Sequence, residues 1–149
     1  MNDELKIKFW GVRGSYPAPG AGTVKYGGNT SCVEINAGGR TIILDAGTGI
    51  IGLGRDLLRR SRQTGKPVQA ALFFSHLHHD HTQGYPFFAP AFAPTTRLHL
   101  FGPGIYDQTL EQVLHNVMAP PAFPVRLNDQ AAVKSFYNIY ESNQVLLSG

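Results

Sequence analysis

The chain is 149 residues long, 42% hydrophobic and 15% charged, a balance that suits one globular domain and excludes a disordered, fibrous or low-complexity segment. Its net charge of +3 and pI near 9.2 suit an anionic substrate, yet the excess is too small to name nucleic acid as a partner. No apolar run reaches the roughly 18 residues of a membrane span, the start lacks a signal-peptide plan, and the single Cys32 excludes an internal disulfide, so a cytoplasmic protein is expected.

Leu5, Ile7 and Phe9 alternate with Lys6 and Lys8, which predicts a half-exposed strand running into Trp10. Residues 11–29 hold six glycines and two prolines with little periodicity, the composition of a long functional loop. Val33 and Ile35 alternate in a second strand, Ala37-Gly38-Gly39-Arg40 supplies a hairpin turn, and Thr41-Ile42-Ile43-Leu44 reads as a buried strand ending on Asp45. Ile50, Leu53, Leu57 and Leu58 follow helical spacing until Gly65 and Pro67 close the helix. Arg55, Arg59 and Arg62 share one face of it, which reads as the solvated side rather than a phosphate stripe.

A wholly apolar strand over residues 70–74 comes next, so strand, helix and strand alternate as in α/β domains. Residues 97–101 predict another strand, and Tyr106, Leu110, Val113, Leu114 and Val117 a helix stripe that Pro120, Pro121 and Pro124 stop. The run from Met118 through Pro124 reads as a rigid connector or an aromatic wall beside a site. Two final strands are expected, at residues 133–140 and 144–147.

Directly behind the apolar strand stands His76-Leu77-His78-His79-Asp80-His81, where packing alone would place a simple turn. His76 and His78, two apart on an irregular loop, can turn toward one ion, while Asp80 and His81 face a second beside it. Imidazole and carboxylate suit zinc first, with manganese, nickel or iron also accommodated. Arg13, flanked by glycine, matches phosphate geometry but equally suits the surface. Asn29, Thr30 and Ser31 commonly cap turns. His79 fills the motif's variable place, as a pocket residue or a plain loop side chain. His99 and His115 have no ligand partner nearby and read as packing or surface histidines.

The pattern His76-x-His78-x-Asp80-His81 resembles the signature of the metallo-β-lactamase-fold hydrolases, and Asp45 resembles that family's preceding motif. The resemblance implies that His76 and His78 hold one divalent ion and that Asp80 and His81 hold the other. It implies Asp80 as the catalytic residue and Asp45 as the residue orienting the histidine loop. Gly11-Val12-Arg13-Gly14-Ser15 and Tyr26-Gly27-Gly28-Asn29-Thr30-Ser31 resemble the phosphodiesterase branch near RNase Z and the cyclic-phosphate diesterase of phosphonate breakdown. Relatives that reduce oxygen at two irons carry a glutamate at the place of His78, so the histidine implies hydrolysis. Two adjacent ions can activate a water and clamp the entering and leaving oxygens of a phosphodiester.

The expected activity, in the full-length protein, is therefore hydrolysis of a cyclic nucleotide, cyclic phosphate or RNA, with Arg13, Asn29 and His79 as candidate substrate contacts. A thioester, lactone or β-lactam hydrolase is the rival within the fold, and a catalytically silent fragment the rival outside it. The family's remaining histidine, bridging aspartate and second histidine find no match after His81, where Asp107 and Asp129 lie in unsuitable settings. The expected fold is α/β, one half of a four-layer αβ/βα sandwich with a mixed sheet. Residues 1–149 then form a single incomplete domain that self-associates or takes up its C-terminal half, because uncovered apolar faces and strand edges drive association.

Overall fold

The computed structural model describes residues 4–147. Six strands form one mixed sheet whose spatial order follows the chain: β1 (Lys6–Gly11), β2 (Cys32–Ala37), β3 (Arg40–Leu44), β4 (Gln69–Phe73), β5 (Arg97–Pro103) and β6 (Val133–Ile139). The first three are antiparallel, and β3 through β6 run parallel. The change of mode follows from the connections. Gly38 and Gly39, at φ 54° and 78°, make the tight hairpin between β2 and β3, whereas each parallel step needs a long crossover.

Helix α1 (Gly49–Thr64) provides the first crossover and ends on Gly65 in the left-handed region, the expected stop. Helix α2 (His79–Thr82) is one turn long, and α3 (Leu110–Val117) starts at Thr109 with a reciprocal cap to Gln112. The core lies between one sheet face and the helices: Ile43, Leu72 and Leu100 pack with Ile50, Leu53, Leu110 and Leu114, all fully buried. The architecture is mixed α/β with a mixed sheet, as the pattern predicts.

The opposite face carries no helix. Phe9, Val33, Leu44, Phe73, Phe101 and Tyr137 pair in register across all six strands, forming an apolar row on it. The rings of Phe73, Phe101 and Tyr137 stack at centroid separations of 4.5 and 4.7 Å. This bare face corrects the expectation of a buried third strand, since Ile43 is buried but Leu44 remains 37% exposed.

Two other expectations fail for local reasons. Residues 144–147 form no strand, and Leu147 instead lies against the bare face beside Ala71 and His99. Tyr106 does not extend the α3 stripe. It stands with Asp107 in a tight left-handed turn, closed by reciprocal backbone hydrogen bonds of 3.0 and 2.9 Å between Ile105 and Gln108.

Candidate metal centre

The end of β3 builds the foundation of the site. Asp45 leaves the strand with φ 63°, a strained setting for a residue with a side chain, and its amide donates to the Phe73 carbonyl at 2.8 Å. That twist turns the carboxylate, 6% exposed, beneath the loop after β4. One oxygen accepts the Ser75 amide at 2.8 Å and its hydroxyl at 2.9 Å. The other accepts the Ser31 hydroxyl at 3.2 Å and lies 2.8 Å from Nδ1 of His81. Asp45 therefore grips both ends of the histidine cluster, and a carboxylate on Nδ1 leaves the Nε2 lone pair of His81 for an ion.

The loop itself is shorter and more regular than an irregular ligand loop. His78 precedes the single turn α2, on which Asp80 and His81 sit. The Ala46 amide donates to the His81 carbonyl at 2.8 Å, which locks that turn onto the end of β3. Gly47 is required there, because a Cβ would collide with the Asp80 carbonyl and the Thr30 hydroxyl.

The four expected ligands come together. The rings of His76 and His78 stand 4.5 Å apart, those of His76 and His81 4.0 Å apart, and Oδ2 of Asp80 lies 3.3 Å from Nε2 of His81. Burial pushes the Asp80 carboxyl up, but the Ser15 amide at 2.8 Å, its own amide and the nearby His81 and His76 outweigh this and hold it below the usual carboxylate range. An ionised carboxylate beside three imidazoles is a donor set suited to divalent metal. It is incomplete: among the described residues no group of three or more His, Cys, Asp or Glu side chains is arranged to hold a metal ion. Two donors for each of two ions leave each shell short.

The substrate candidates divide. Arg13 stands on the loop over residues 12–31, two residues before Ser15, whose amide donates to Asp80 at 2.8 Å. His79 is exposed at the start of α2. Asn29 holds the loop together: its carbonyl accepts the amides of Val12 and Arg13 at 3.1 Å each, and its side-chain oxygen accepts the Thr48 hydroxyl at 3.2 Å. Arg55, Arg59 and Arg62 are exposed on α1, as a solvated face requires. His99 is held 3.3 Å from the Tyr137 hydroxyl on the bare face. Cys32 is fully buried, and burial, then Asp45 and Glu34, push its thiol up, which leaves it inert.

One part of the site escaped the sequence pattern. An apolar pocket of about 290 Å³ opens beside His76 and His78, walled by Leu77, Ile105, Val113 and the 95% exposed ring of Tyr106. Its only sequence signal is Gly102-Pro103-Gly104, a turn composition just ahead of Tyr106, where the helix stripe reads as starting.

The profile of the metallo-beta-lactamase superfamily matches residues 26–110, which include Asp45, the histidine cluster and β2 through β5. The chain belongs to the metallo-beta-lactamase superfamily. Among curated proteins no sequence matches it. Two solved structures of this fold resemble it. One is the metallo-beta-lactamase fold protein YhfI from Bacillus subtilis, at 18% identity and TM-score 0.54 over 97% of this chain and 48% of that one. The other is described as a new diphosphatase from the PhnP family, at 16% identity and TM-score 0.59 over 96% of this chain and 54% of that one. At such identities the likeness concerns fold alone, and the chain spans about half the length of either neighbour. No helix among the described residues is long and apolar enough to cross a membrane.

Proposed function

We propose that this superfamily domain is a metal-dependent phosphodiesterase of the branch near RNase Z, acting on a cyclic nucleotide, a cyclic phosphate or RNA. The observation that carries the reading is the Asp45 carboxylate, which fixes Ser75 and His81 and so orients His76, His78, Asp80 and His81 around one surface. These four residues would hold two divalent ions, zinc first. The ions when bound would supply a Lewis acid and an activated water for hydrolysis. Asp80, ionised and tethered by Ser15, orients the loop of Arg13 toward the cluster, and Arg13, Asn29 and His79 border the substrate. A phosphoryl substrate is compatible with the fold neighbour described as a diphosphatase.

The bare sheet face and the twofold length of the neighbours support a partner reading too: the face is covered by a C-terminal half of the same domain, or by a second copy when that half is absent. The domain would act in the cytoplasm. The short donor shell favours, as the alternative, a fragment that binds metal without turning over substrate.

With zinc or manganese added, the full-length protein should hydrolyse bis-p-nitrophenyl phosphate in preference to a thioester and a lactone, and EDTA or His78→Ala should abolish this. Turnover of the thioester or lactone alone would reject the phosphodiester reading, and zinc binding with no turnover of any substrate would favour the silent fragment.

A further inference from the structure

A second pocket, of about 350 Å³, lies within the long loop and contains none of the cluster residues. Arg13 and Lys25 line it together with Thr23, Tyr26 and the backbone of Gly14 and Gly27, and it has no carboxylate in its wall. Among the described residues neither cation forms an ion pair. The Nε of Arg13 is buried without a hydrogen-bond partner. Among the described residues Lys25 has only the Tyr26 ring as a partner, its Nζ 4.9 Å from the ring centroid. Two cations lining one cavity with no carboxylate in its wall give it a positive potential, and an unpaired buried donor carries its desolvation cost uncompensated. An anion in the pocket relieves both.

The pocket is preformed. The Ala18 amide donates to the Gly28 carbonyl at 2.9 Å, the Gly27 amide to the Thr23 carbonyl at 2.7 Å, and the Thr23 hydroxyl to the Ala18 carbonyl at 2.7 Å. Gly28 packs so tightly that a Cβ there would collide with Pro19 and Ala18. Ser15, held at φ 68°, pins this cradle to Asp80 through its amide.

We infer that Arg13 and Lys25 form a second phosphate subsite beside the metal cluster, so that the substrate carries at least one phosphate besides the one cleaved. The inference rests on the phosphodiester reading for the word substrate, but the anion site itself does not need it. A guanidinium and an ammonium group lining one cavity suit a phosphate, with the planar fork of Arg13 giving direction and Lys25 adding charge. Within the proposed substrates, this selects oligonucleotides and other compounds with two phosphates over a cyclic mononucleotide with one.

The test uses the whole chain in EDTA at fixed ionic strength, so that metal and turnover play no part. Inorganic phosphate is titrated while backbone amide NMR signals are followed, and then the dinucleotides UpU and pUpU, which differ by one phosphate, are compared. Phosphate should shift the amides of Gly14, Lys25 and Gly27 in saturable fashion, and pUpU should bind at least about tenfold tighter than UpU. Lys25→Ala and Arg13→Ala should each remove that preference, and Lys25→Arg should restore it. Lys25 is exposed, so its variant keeps the fold whatever Arg13→Ala does. Shifts confined to residues 76–81, or a pUpU preference that survives Lys25→Ala, would overturn the subsite. Loss of hydrolysis with phosphate binding intact would reject the phosphodiester reading and leave the anion site standing.

Discussion

The two faces of the sheet differ more than any other two regions of the molecule. On the helix-covered face the register row runs from Glu34 through Ile43, Leu72 and Leu100 to Phe136, and its aliphatic members are fully buried. On the bare face the parallel row is at least as apolar, from Phe9 to Tyr137, yet its ends stand 67% and 42% exposed. An apolar row on each face is the pattern of a sheet covered on both sides. Strand β2, next to the β1 edge, makes the point most directly. In β2 the apolar Val33 and Ile35 face the bare side, and the charged Glu34, 2% exposed, is the residue turned inward.

The largest expected effect tests the covered face. Leu72→Ala removes a fully buried β4 side chain from the core cluster and should cost about 2–5 kcal/mol in urea unfolding. A loss below about 1 kcal/mol would mean that the core does not lie where the burial puts it.

Asp45 comes next, because it serves backbone, hydroxyl and imidazole at once. Asp45→Ala should cost about 1–3 kcal/mol, since it leaves Ser75 without its acceptor and puts alanine at φ 63°. Asp45→Asn tolerates the left-handed backbone and should lose less stability. Both should weaken zinc binding measured by calorimetry, because neither restores the carboxylate on Nδ1 of His81. Equal zinc affinity in wild type and Asp45→Asn would remove the orienting role.

Glu34 sharpens the comparison through pH. Burial raises its pKa, but hydrogen bonds from Asn36, Trp10 and Arg60, with the Arg60 charge, outweigh that and hold it below its ordinary 4.5. A carboxyl lowered by folding binds protons more readily in the unfolded chain. Its contribution is present above pH 4.5 and is lost as pH falls below it toward the folded value. Glu34→Gln should cost about 1–2 kcal/mol at pH 7, and the gap to wild type should close as pH falls through that range. A gap independent of pH would show that packing rather than charge holds this corner.

These faces also explain what the sequence could and could not tell. The hairpin at Gly38-Gly39, the helix closing at Gly65 and the cluster after an apolar strand are local features, and local composition reveals them. The family signature adds the pairing of Asp45 with the cluster, 31 residues away from His76 along the chain. Which face an alternating strand buries is a tertiary matter, and β2 shows why: alternation identifies Val33 and Ile35 as apolar but not the layer they await. Arg60 likewise sits among exposed arginines in the helix pattern, and only the fold reveals Glu34 opposite it. Tyr106 joins the α3 stripe by spacing, and the left-handed turn with Asp107 that removes it has no marker in the residue pair itself.

The smallest effect on stability should come from the bare face and carry the largest information about assembly. Ile7 and Phe9, 51% and 67% exposed on the edge strand β1, lose little packing when replaced by threonine, which keeps the β-branched preference for strands. Ile7→Thr with Phe9→Thr should change unfolding free energy by no more than about 1 kcal/mol. The same double variant should shift the protein toward monomer in light scattering at high concentration, because it breaks the apolar row that an added layer or a second copy would cover. A wild-type chain that stays monomeric under those conditions would sink self-association and leave the C-terminal half as the cover. A double variant that unfolds would instead place Ile7 and Phe9 in the core, and the contrast between the two faces would fall with it.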